Sequence, residues 1–216
     1  MQVETKKKQV AEKRAKRLLD KPGTMLYPVP AVLVSCGENG MDNIITVAWT
    51  GIVNSEPPIL YISVRRSRHS HGIIRRTGVF VVNIPGEDLV RATDFCGVRS
   101  GRDLDKFEAL GLTKAPASQV DCPLVVEAPV HLECRVRDVL EFPSHDMFLA
   151  DIVAVQADER LFEASGKLAL EKANLLCYSH GGYFGLRDRS LGRFGFSVMK
   201  PATIRKKRKA VRPKRT

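Results

Sequence analysis

The sequence predicts an α+β domain, mainly β, in which antiparallel strands form a closed or nearly closed barrel with short helices at its periphery. Short runs of β-branched and aromatic residues recur at close spacing, and only short helical patterns separate them. The 216 residues, 44% of them apolar, suffice for one domain with a full-sized core. Neither G-x-G-x-x-G nor G-x-x-x-x-G-K-[ST] occurs, which disfavours a doubly wound or P-loop fold.

Each predicted strand is bounded by residues that favour turns. Gly37-Glu38-Asn39-Gly40 separates the first two strands and predicts a hairpin, and Pro57-Pro58 precedes the third strand. The last two strands alternate apolar and polar side chains, as half-buried antiparallel strands do. The predicted strands cover residues 31–36, 43–49, 59–64, 79–85, 130–136 and 147–155.

Three short helices are predicted between the strands, over residues 70–77, 87–96 and 105–110. Ser67 or Ser70 is the expected N-cap of the first helix, because a hydroxyl can accept from a free N–H of the first turn. Gly78 and Gly111 follow the first and third helices and predict their ends, because glycine readily adopts the left-handed conformation of a helix C-terminus.

The positive charge of the chain lies at its two ends. The net charge is +11, of which residues 1–21 contribute +5 and residues 200–216 contribute +9, leaving −3 for residues 22–199. We therefore predict a basic N-terminal helix or extension (1–21), a folded body (22–199) and a basic C-terminal tail (200–216). A helix over 6–19 would dock on the body or on a second subunit through Val10, Leu18 and Leu19. The tail could bind a polyanion without recognising its sequence.

Several classes of protein are excluded by simple patterns. No apolar run reaches the ~18–20 residues that span a bilayer, and no apolar segment follows the N-terminal lysines as it would in a secretory signal. The five cysteines are scattered and include no C-x-x-C pair, which argues against a disulfide framework or a zinc site. We expect a cytoplasmic protein with free thiols and no metal.

The segment most informative about chemistry runs from Arg65 to His71, with the sequence RRSRHSH, where a predicted strand ends and a helix begins. Guanidinium groups, serine hydroxyls and the free N–H groups of a helix N-terminus together provide what a phosphate dianion needs. An exposed basic turn is the alternative. His69 and His71 are two residues apart and point in different directions, so a metal pair is not expected.

A second segment, Asn43 to Gly51, combines short hydrogen-bonding side chains with the only tryptophan of the chain, Trp49. Asn43, Thr46 and Thr50 could line the polar edge of a flat ring system that lies against the indole. The alternative is that Trp49 is simply a core residue.

Taken together, these segments resemble the flavoredoxin-type members of the flavin reductase-like superfamily, which are FMN-binding split β-barrels with antiparallel, Greek-key-like strands. The resemblance covers roughly residues 25–198. It rests on six patterns in order, N-x-x-T-x-A-W-T, P-P, R-x-S-R-x-S, F-V-V-N-I-P, S-G-R-D-x-D-K-F-x-x-x-G-L and G-x-Y-F, at Asn43–Thr50, Pro57-Pro58, Arg65–Ser70, Phe80–Pro85, Ser100–Leu112 and Gly182–Phe184.

The resemblance implies a role for each matching residue. The side chains that line the isoalloxazine ring and the ribityl chain would be Asn43, Thr46, Trp49 and Thr50, with the backbone N–H groups of Val47 and Ala48 toward the pyrimidine edge. The phosphate segment would comprise Arg65, Ser67, Arg68, His69 and Ser70. Asn83 would lie nearby, Lys106 would supply a cation and Tyr183 would cover the site. Proximity of His180 and Cys177 to the flavin stays open.

The implied function is that of a homodimeric FMN flavoprotein with no dedicated acid–base residue. It would be either a flavin reductase that takes hydride from NADH or NADPH, or a flavoredoxin-like electron carrier; its electron acceptor is not identified. One alternative is a module that binds nucleic acid or another polyanion through its basic ends, with the barrel as a scaffold. Another is a split barrel that has lost flavin or that binds a deazaflavin or haem.

Overall fold

The computed structural model describes residues 16–186 and 190–199. Most of the predicted N-terminal helix and the whole basic tail, 200–216, lie outside these residues, so the division of the chain at 21 and 199 and the polyanion contact stay predictions. The last four residues of the predicted helix, 16–19, are not helical. Leu18 and Leu19 are 91% and 60% exposed, so neither packs on the body of this chain.

Twelve strands are present in the described residues, and the largest sheet contains seven of them. The strands are β1 Val29–Pro30, β2 Val32–Glu38, β3 Met41–Val47, β4 Thr50–Ser55, β5 Pro58–Arg65, β6 Val79–Ile84, β7 Lys114–Pro116, β8 Pro123–Val125, β9 Val130–Glu141, β10 His145–Ala157, β11 Leu176–Ser179 and β12 Gly182–Gly185. The seven-stranded sheet is antiparallel with the order β3-β2-β6-β9-β10-β5-β4, and β1, β11 and β12 form a separate small sheet.

The sheet stays open between its two edge strands, β3 and β4. These strands are consecutive in the chain and are joined by only two residues, Ala48 and Trp49. The edge strands are therefore neighbours in sequence without being paired, and the carbonyl of Trp49 accepts a hydrogen bond from the Ser63 N–H at 2.8 Å. The predicted mainly-β antiparallel barrel is confirmed, in its split rather than its closed form.

The three predicted helices are present, as α1 His69–Thr77, α2 Val90–Val98 and α3 Lys106–Leu110. A 3₁₀ turn over Glu87–Leu89 leads into α2. The predicted ends are confirmed, since Gly78 and Gly111 are left-handed with φ of 68° and 62°. The predicted serine cap of α1 is wrong. Arg68 occupies the N-cap position without a side-chain bond, and the Ser70 hydroxyl accepts instead from the Asn43 amide at 2.8 Å.

Some strands were not predicted. β4 exposes Ile52 and Val53 and lacks the alternation of a half-buried strand, so its pattern resembles a loop. The short strands β7, β8, β11 and β12 also lack periodicity, because they have only three or four residues each.

Two apolar clusters place β3 between the barrel and the helices. Ile45 and Val47 belong to the main core inside the barrel, whereas Ile44 packs with Cys96 of α2 and Phe107 of α3 on the other face. The C-terminal part of α2 and the start of α3 are thereby held against the open edge of the sheet.

Asn83 of β6 joins three parts of the chain inside the protein. It is fully buried, and its amide nitrogen donates to the Leu33 carbonyl at 3.0 Å and to the Ser35 hydroxyl at 2.9 Å. Its amide oxygen accepts from the Val125 N–H and lies 2.9 Å from Nδ1 of His131. The amide nitrogen and the amide oxygen of Asn83 therefore each have two partners within the fold.

We predict that Asn83→Ala lowers the free energy of unfolding by roughly 2–4 kcal/mol, because buried donors and acceptors lose their partners at about 1–3 kcal/mol each. Urea denaturation measures the change. Asn54→Ala is the control: this exposed asparagine donates only to the Pro57 carbonyl, so its loss costs less than about 1 kcal/mol. Equal effects of the two substitutions would contradict the role assigned to Asn83.

Candidate functional site

Two adjoining cavities lie at the open edge of the sheet. Their volumes are about 300 and 490 Å³, and Ile45, Arg65 and Arg68 line both of them. The first is called the basic cavity and the second the aromatic cavity. Ile45 lies on β3, Arg65 ends β5, and Arg68 is at the N-cap position of the helix His69–Thr77.

The lining of the basic cavity has the chemistry that suits an anion. Among its described lining residues are five that are basic and none with a carboxylate. They are Arg65, Arg68, Arg99, Arg102 and Lys106. Ser67, His69, Ser70 and Asn43 add polar groups to the same wall. Burial lowers the pKa of His69, and the charges of Arg102 and Lys106 lower it further, so this imidazole is neutral at pH 7.

The chain makes a tight turn at the start of α1, and this turn presents its polar groups to the basic cavity. The Arg68 N–H donates to the Arg65 carbonyl at 3.0 Å, and the His71 N–H donates to the Arg68 carbonyl at 3.1 Å. The helix therefore begins at the cavity with no side-chain cap, and its first N–H groups and positive dipole end favour a bound anion.

The loop after α2 completes the basic cavity, and sequence reasoning assigned it no role. It packs so closely on β3 that a Cβ on Gly101 would lie 2.1 Å from Oδ1 of Asn43. Arg102 donates to the Ser67 carbonyl at 3.3 Å and so connects this loop to the turn before α1. The sequence feature that could have indicated this role is the pair of arginines, Arg99 and Arg102, that flank Ser100-Gly101 shortly after a predicted helix.

Lys106 lies at the base of the basic cavity. It is only 3% exposed, and its Nζ donates to the carbonyls of Ile44 at 2.7 Å and Cys96 at 3.1 Å. Burial lowers the pKa of the ammonium, and the charge of Arg68 adds to this effect. An ammonium group has three donors, so two of them fix Lys106 in place and one remains for a ligand.

Trp49 forms one wall of the aromatic cavity. The ring centroids of Trp49 and His145 are 4.7 Å apart, with an angle of 36° between the ring planes. Trp49 is 38% exposed. Backbone of the open β3 edge, at Val47 and Ala48, continues this wall. Burial lowers the pKa of His145 and the nearby charge of Arg65 lowers it further, so His145 is neutral at pH 7.

Tyrosines in and beside the small sheet form another part of the lining of the aromatic cavity. Tyr178 lies between Tyr27 and Tyr183, with ring centroids 6.1 and 5.4 Å away. The Tyr183 hydroxyl donates to Asp94 of α2 at 3.3 Å, and burial together with this carboxylate raises the pKa of Tyr183 to about 12. The aromatic cavity is therefore lined by several aromatic rings, with the cations Arg65 and Arg68 at its junction with the basic cavity.

Twelve of the fourteen residues proposed from sequence line one cavity or the other. Seven line the basic cavity: Asn43, Arg65, Ser67, Arg68, His69, Ser70 and Lys106. Five more line the aromatic cavity: Thr46, Val47, Ala48, Trp49 and Tyr183. The two segments singled out in the sequence thus meet in one composite site.

Other residues of interest lie elsewhere. Thr50 does not line either cavity, and its hydroxyl donates to the Tyr61 carbonyl at 2.6 Å. Asn83 is also away from both and has the internal contacts described above. Arg66, which lies in the same basic segment, turns to the opposite side, where its Nε donates to Asp146 at 2.7 Å. Neither Cys177 nor His180 lines a cavity; His180 is a left-handed turn residue between β11 and β12.

Three aromatic residues of the site had no role in the sequence analysis. His145 begins β10, and its pairing with Arg65 of β5 brings it to Trp49. Tyr27 and Tyr178 come from distant parts of the chain, and the pairing of β1 with β11 brings them together. No short-range pattern could have identified these residues, because long-range strand pairing creates the contacts.

Comparison with known proteins assigns the chain to a family. The model of the flavin reductase like domain matches residues 24–187. The protein YddH of Escherichia coli is 31% identical over 160 residues, which cover 72% of this chain and 85% of YddH.

Similar solved structures support the same family assignment. Flavoredoxin of Desulfovibrio vulgaris is 30% identical with a TM-score of 0.78, covering 85% of this chain and all of that one. Flavoredoxin from Methanosarcina acetivorans is 28% identical with a TM-score of 0.77, covering 86% and 100%. An FMN-binding protein from Thermus thermophilus, 23% identical with a TM-score of 0.71 over 83% and 99%, shares the fold. With most of the chain matched in sequence and in three dimensions, this protein belongs to the flavin reductase-like domain family.

Proposed function

We propose that the protein binds FMN across the two cavities and acts as an FMN-dependent oxidoreductase, either an NAD(P)H-dependent flavin reductase or a flavoredoxin-like electron-transfer protein. The observation that carries this proposal is that Arg65 and Arg68 line both the basic and the aromatic cavity. A ligand with a phosphate at one end and a flat ring system at the other matches this arrangement. Named neighbours in the family, flavoredoxins and an FMN-binding protein, support the choice of FMN.

The basic cavity fits the phosphate end of FMN. Arg68 and Ser67 supply charge-assisted donors, and the start of α1 supplies N–H groups. Gly101 allows its loop to pack directly on Asn43 at the wall of this cavity, since a Cβ at Gly101 would lie 2.1 Å from Oδ1 of Asn43. We propose that Ser70, His69 and Lys106 complete the contacts to the phosphate and the ribityl chain.

The aromatic cavity fits the isoalloxazine ring. Trp49 and the tyrosines of the small sheet provide flat surfaces, and the edge of β3 provides backbone groups without a strand partner on that side. We propose that the N–H groups of Val47 and Ala48 bind the pyrimidine edge. Together with Arg65, they would stabilise the negative charge that reduction adds to the ring.

A bound flavin supplies the redox chemistry, accepting a hydride or single electrons and passing them on. The side chains around it would bind, orient and tune it, so we assign no acid–base residue. A nicotinamide would reach the flavin through the open side of the aromatic cavity, because the sequence contains no separate dinucleotide motif.

We further propose a cytoplasmic homodimer. Ile52 and Val53 on the edge strand β4, together with Val153 and Val155 of β10, are exposed and apolar, as expected of a surface that another subunit covers. All five cysteines are free, which fits a reducing compartment. None of the helices in the described residues has the length and apolar character needed to cross a bilayer.

The phosphate assignment predicts that the double variant Ser67→Ala/Arg68→Ala binds FMN at least about tenfold more weakly, because each charge-assisted hydrogen bond contributes about 1.5–3 kcal/mol. Titration with FMN, followed through the fluorescence of Trp49 as the only tryptophan of the chain, measures the dissociation constant.

Arg76→Ala is the matched control for this measurement. Arg76 lies on α1 but pairs with Glu38 at 2.6 Å on the surface and lines neither cavity. This control should change FMN affinity by less than about twofold. A double variant that binds FMN as tightly as the unmodified protein would contradict the phosphate assignment.

The identity of the electron donor is tested by mixing the FMN-loaded protein anaerobically with NADH or with NADPH in a stopped-flow instrument. A flavin reductase predicts rapid bleaching of the flavin absorbance by at least one of them. Bleaching by dithionite alone, with neither nicotinamide effective, identifies an electron carrier instead. A colourless protein that takes up no FMN would contradict both forms of the proposal.

A further inference from the structure

The turn between β5 and α1 has two faces. Arg65, Ser67 and Arg68 line the basic cavity, whereas Arg66 and His71 point away from it. The residues on this second face converge on one side chain, Asp146 of β10, which has no part in the function proposed so far.

Asp146 is completely buried, and it binds α1 and the turn before it on the side that faces away from the basic cavity. Its Oδ1 accepts from Nε of Arg66 at 2.7 Å, and its Oδ2 lies 2.8 Å from Nε2 of His71 and accepts from Nη1 of Arg75 at 3.0 Å. These partners come from the turn, the first turn of α1 and its second turn. One carboxylate therefore fixes three successive positions of the segment that lines the basic cavity.

The carboxylate is itself held rigidly by the sheet. Asp146 pairs with Val64 of β5, one position before Arg65, and with Glu141 of β9 on its other side. Strand β10 is flanked on both sides here, so the Asp146 backbone has little freedom. Burial alone would raise the pKa of Asp146, but hydrogen bonds from Arg66 and His71 bring it below its ordinary value, and the group is ionised at pH 7.

The negative charge of Asp146 has a second effect, on the repulsion between neighbouring arginines. Arg65, Arg66, Arg68 and Arg75 lie within eleven residues of one another, and repulsion between them opposes their close arrangement. Asp146 neutralises this face of the segment and, with Glu141, binds Arg66 and Arg75 away from the cavity. Within residues 16–186 and 190–199, no carboxylate pairs with Arg65 or Arg68, and both line the basic cavity.

We infer that Asp146 is a positioning residue for the phosphate end of the site, an inference that rests on the proposed binding of FMN. It acts through Arg66, His71 and Arg75, and it keeps the turn before α1 in the geometry in which Ser67 and Arg68 bind a phosphate dianion. Since the hydrogen bonds of its side chain go to the turn before α1 and to α1 itself, its removal selectively weakens ligands that carry the phosphate.

The test compares FMN with riboflavin, which has the same ring and ribityl chain but no phosphate. The preference for FMN is the dissociation constant of riboflavin divided by that of FMN, both measured by equilibrium dialysis. In Asp146→Asn we expect this preference to fall about tenfold or more, because the neutral amide loses charge-assisted bonds to three donors. The affinity for riboflavin itself should stay within about threefold, because the aromatic cavity is not altered.

Glu133→Gln is the matched control. Glu133 is the other fully buried carboxylate among the described residues, and it accepts from the N–H groups of Ser118 and Gln119 and from Gln156. It lines neither cavity. Its neutralisation should destabilise the fold while leaving the preference for FMN unchanged, which separates a positioning effect from a general loss of stability.

Arg66→Met provides an independent variant if Asp146→Asn does not fold. The Arg66 side chain is 48% exposed, and its replacement removes one of the three donors to Asp146 while leaving the carboxylate bound to the other two. We expect a smaller but measurable fall in the preference for FMN.

The outcomes distinguish the two proposals. If the unmodified protein binds neither flavin, the proposed function is wrong and the inference falls with it. If the unmodified protein prefers FMN but the folded Asp146→Asn variant, or Arg66→Met in its place, keeps the same preference, only the inference is wrong. A fall in the preference for FMN that Glu133→Gln shows equally would also overturn it.

Discussion

The open edge of the main sheet is the constraint on which the site depends. The seven-stranded antiparallel sheet ends in β3 at one edge and β4 at the other, and these strands do not pair although only two residues join them. The outer edge of β3 keeps backbone groups that need other partners. α2, α3 and the small sheet pack around this edge without covering all of it, and the two cavities occupy the space that remains.

The concentration of positive charge in the basic cavity requires compensation elsewhere in the fold. The body has a net charge of −3, yet five basic side chains line a volume of about 300 Å³. Asp146 and Glu141 neutralise the back of the turn before α1, and backbone carbonyls of Ile44 and Cys96 hold the ammonium of Lys106. These contacts preorganise the cations for an anion, so little reorganisation is needed when a ligand binds.

Local patterns predicted most of the fold and much of the site. Alternation and β-branched runs located the long strands, and Gly78 and Gly111 marked two helix ends because both need the left-handed conformation. The basic turn with its serines could be predicted as an anion site because a strand end and a helix start meet there. The resemblance to a family extended this from an anion to a flavin.

The parts that could not be predicted depend on long-range contacts. Asn83 is a polar residue of the kind that lines a binding site, and the sequence therefore made it a candidate. In the fold its side chain bonds instead to Leu33, Val125 and His131, and only the strand order reveals these contacts. The direction of Arg66 depends on Asp146, which is 80 residues away along the chain.

A crystal structure of the protein with FMN tests the account most directly. We predict electron density for the phosphate within hydrogen-bonding distance of Ser67 and Arg68, and for the isoalloxazine ring in the aromatic cavity between Trp49 and the small sheet. A flavin whose phosphate lies away from the start of α1, or whose ring lies outside the aromatic cavity, would contradict it.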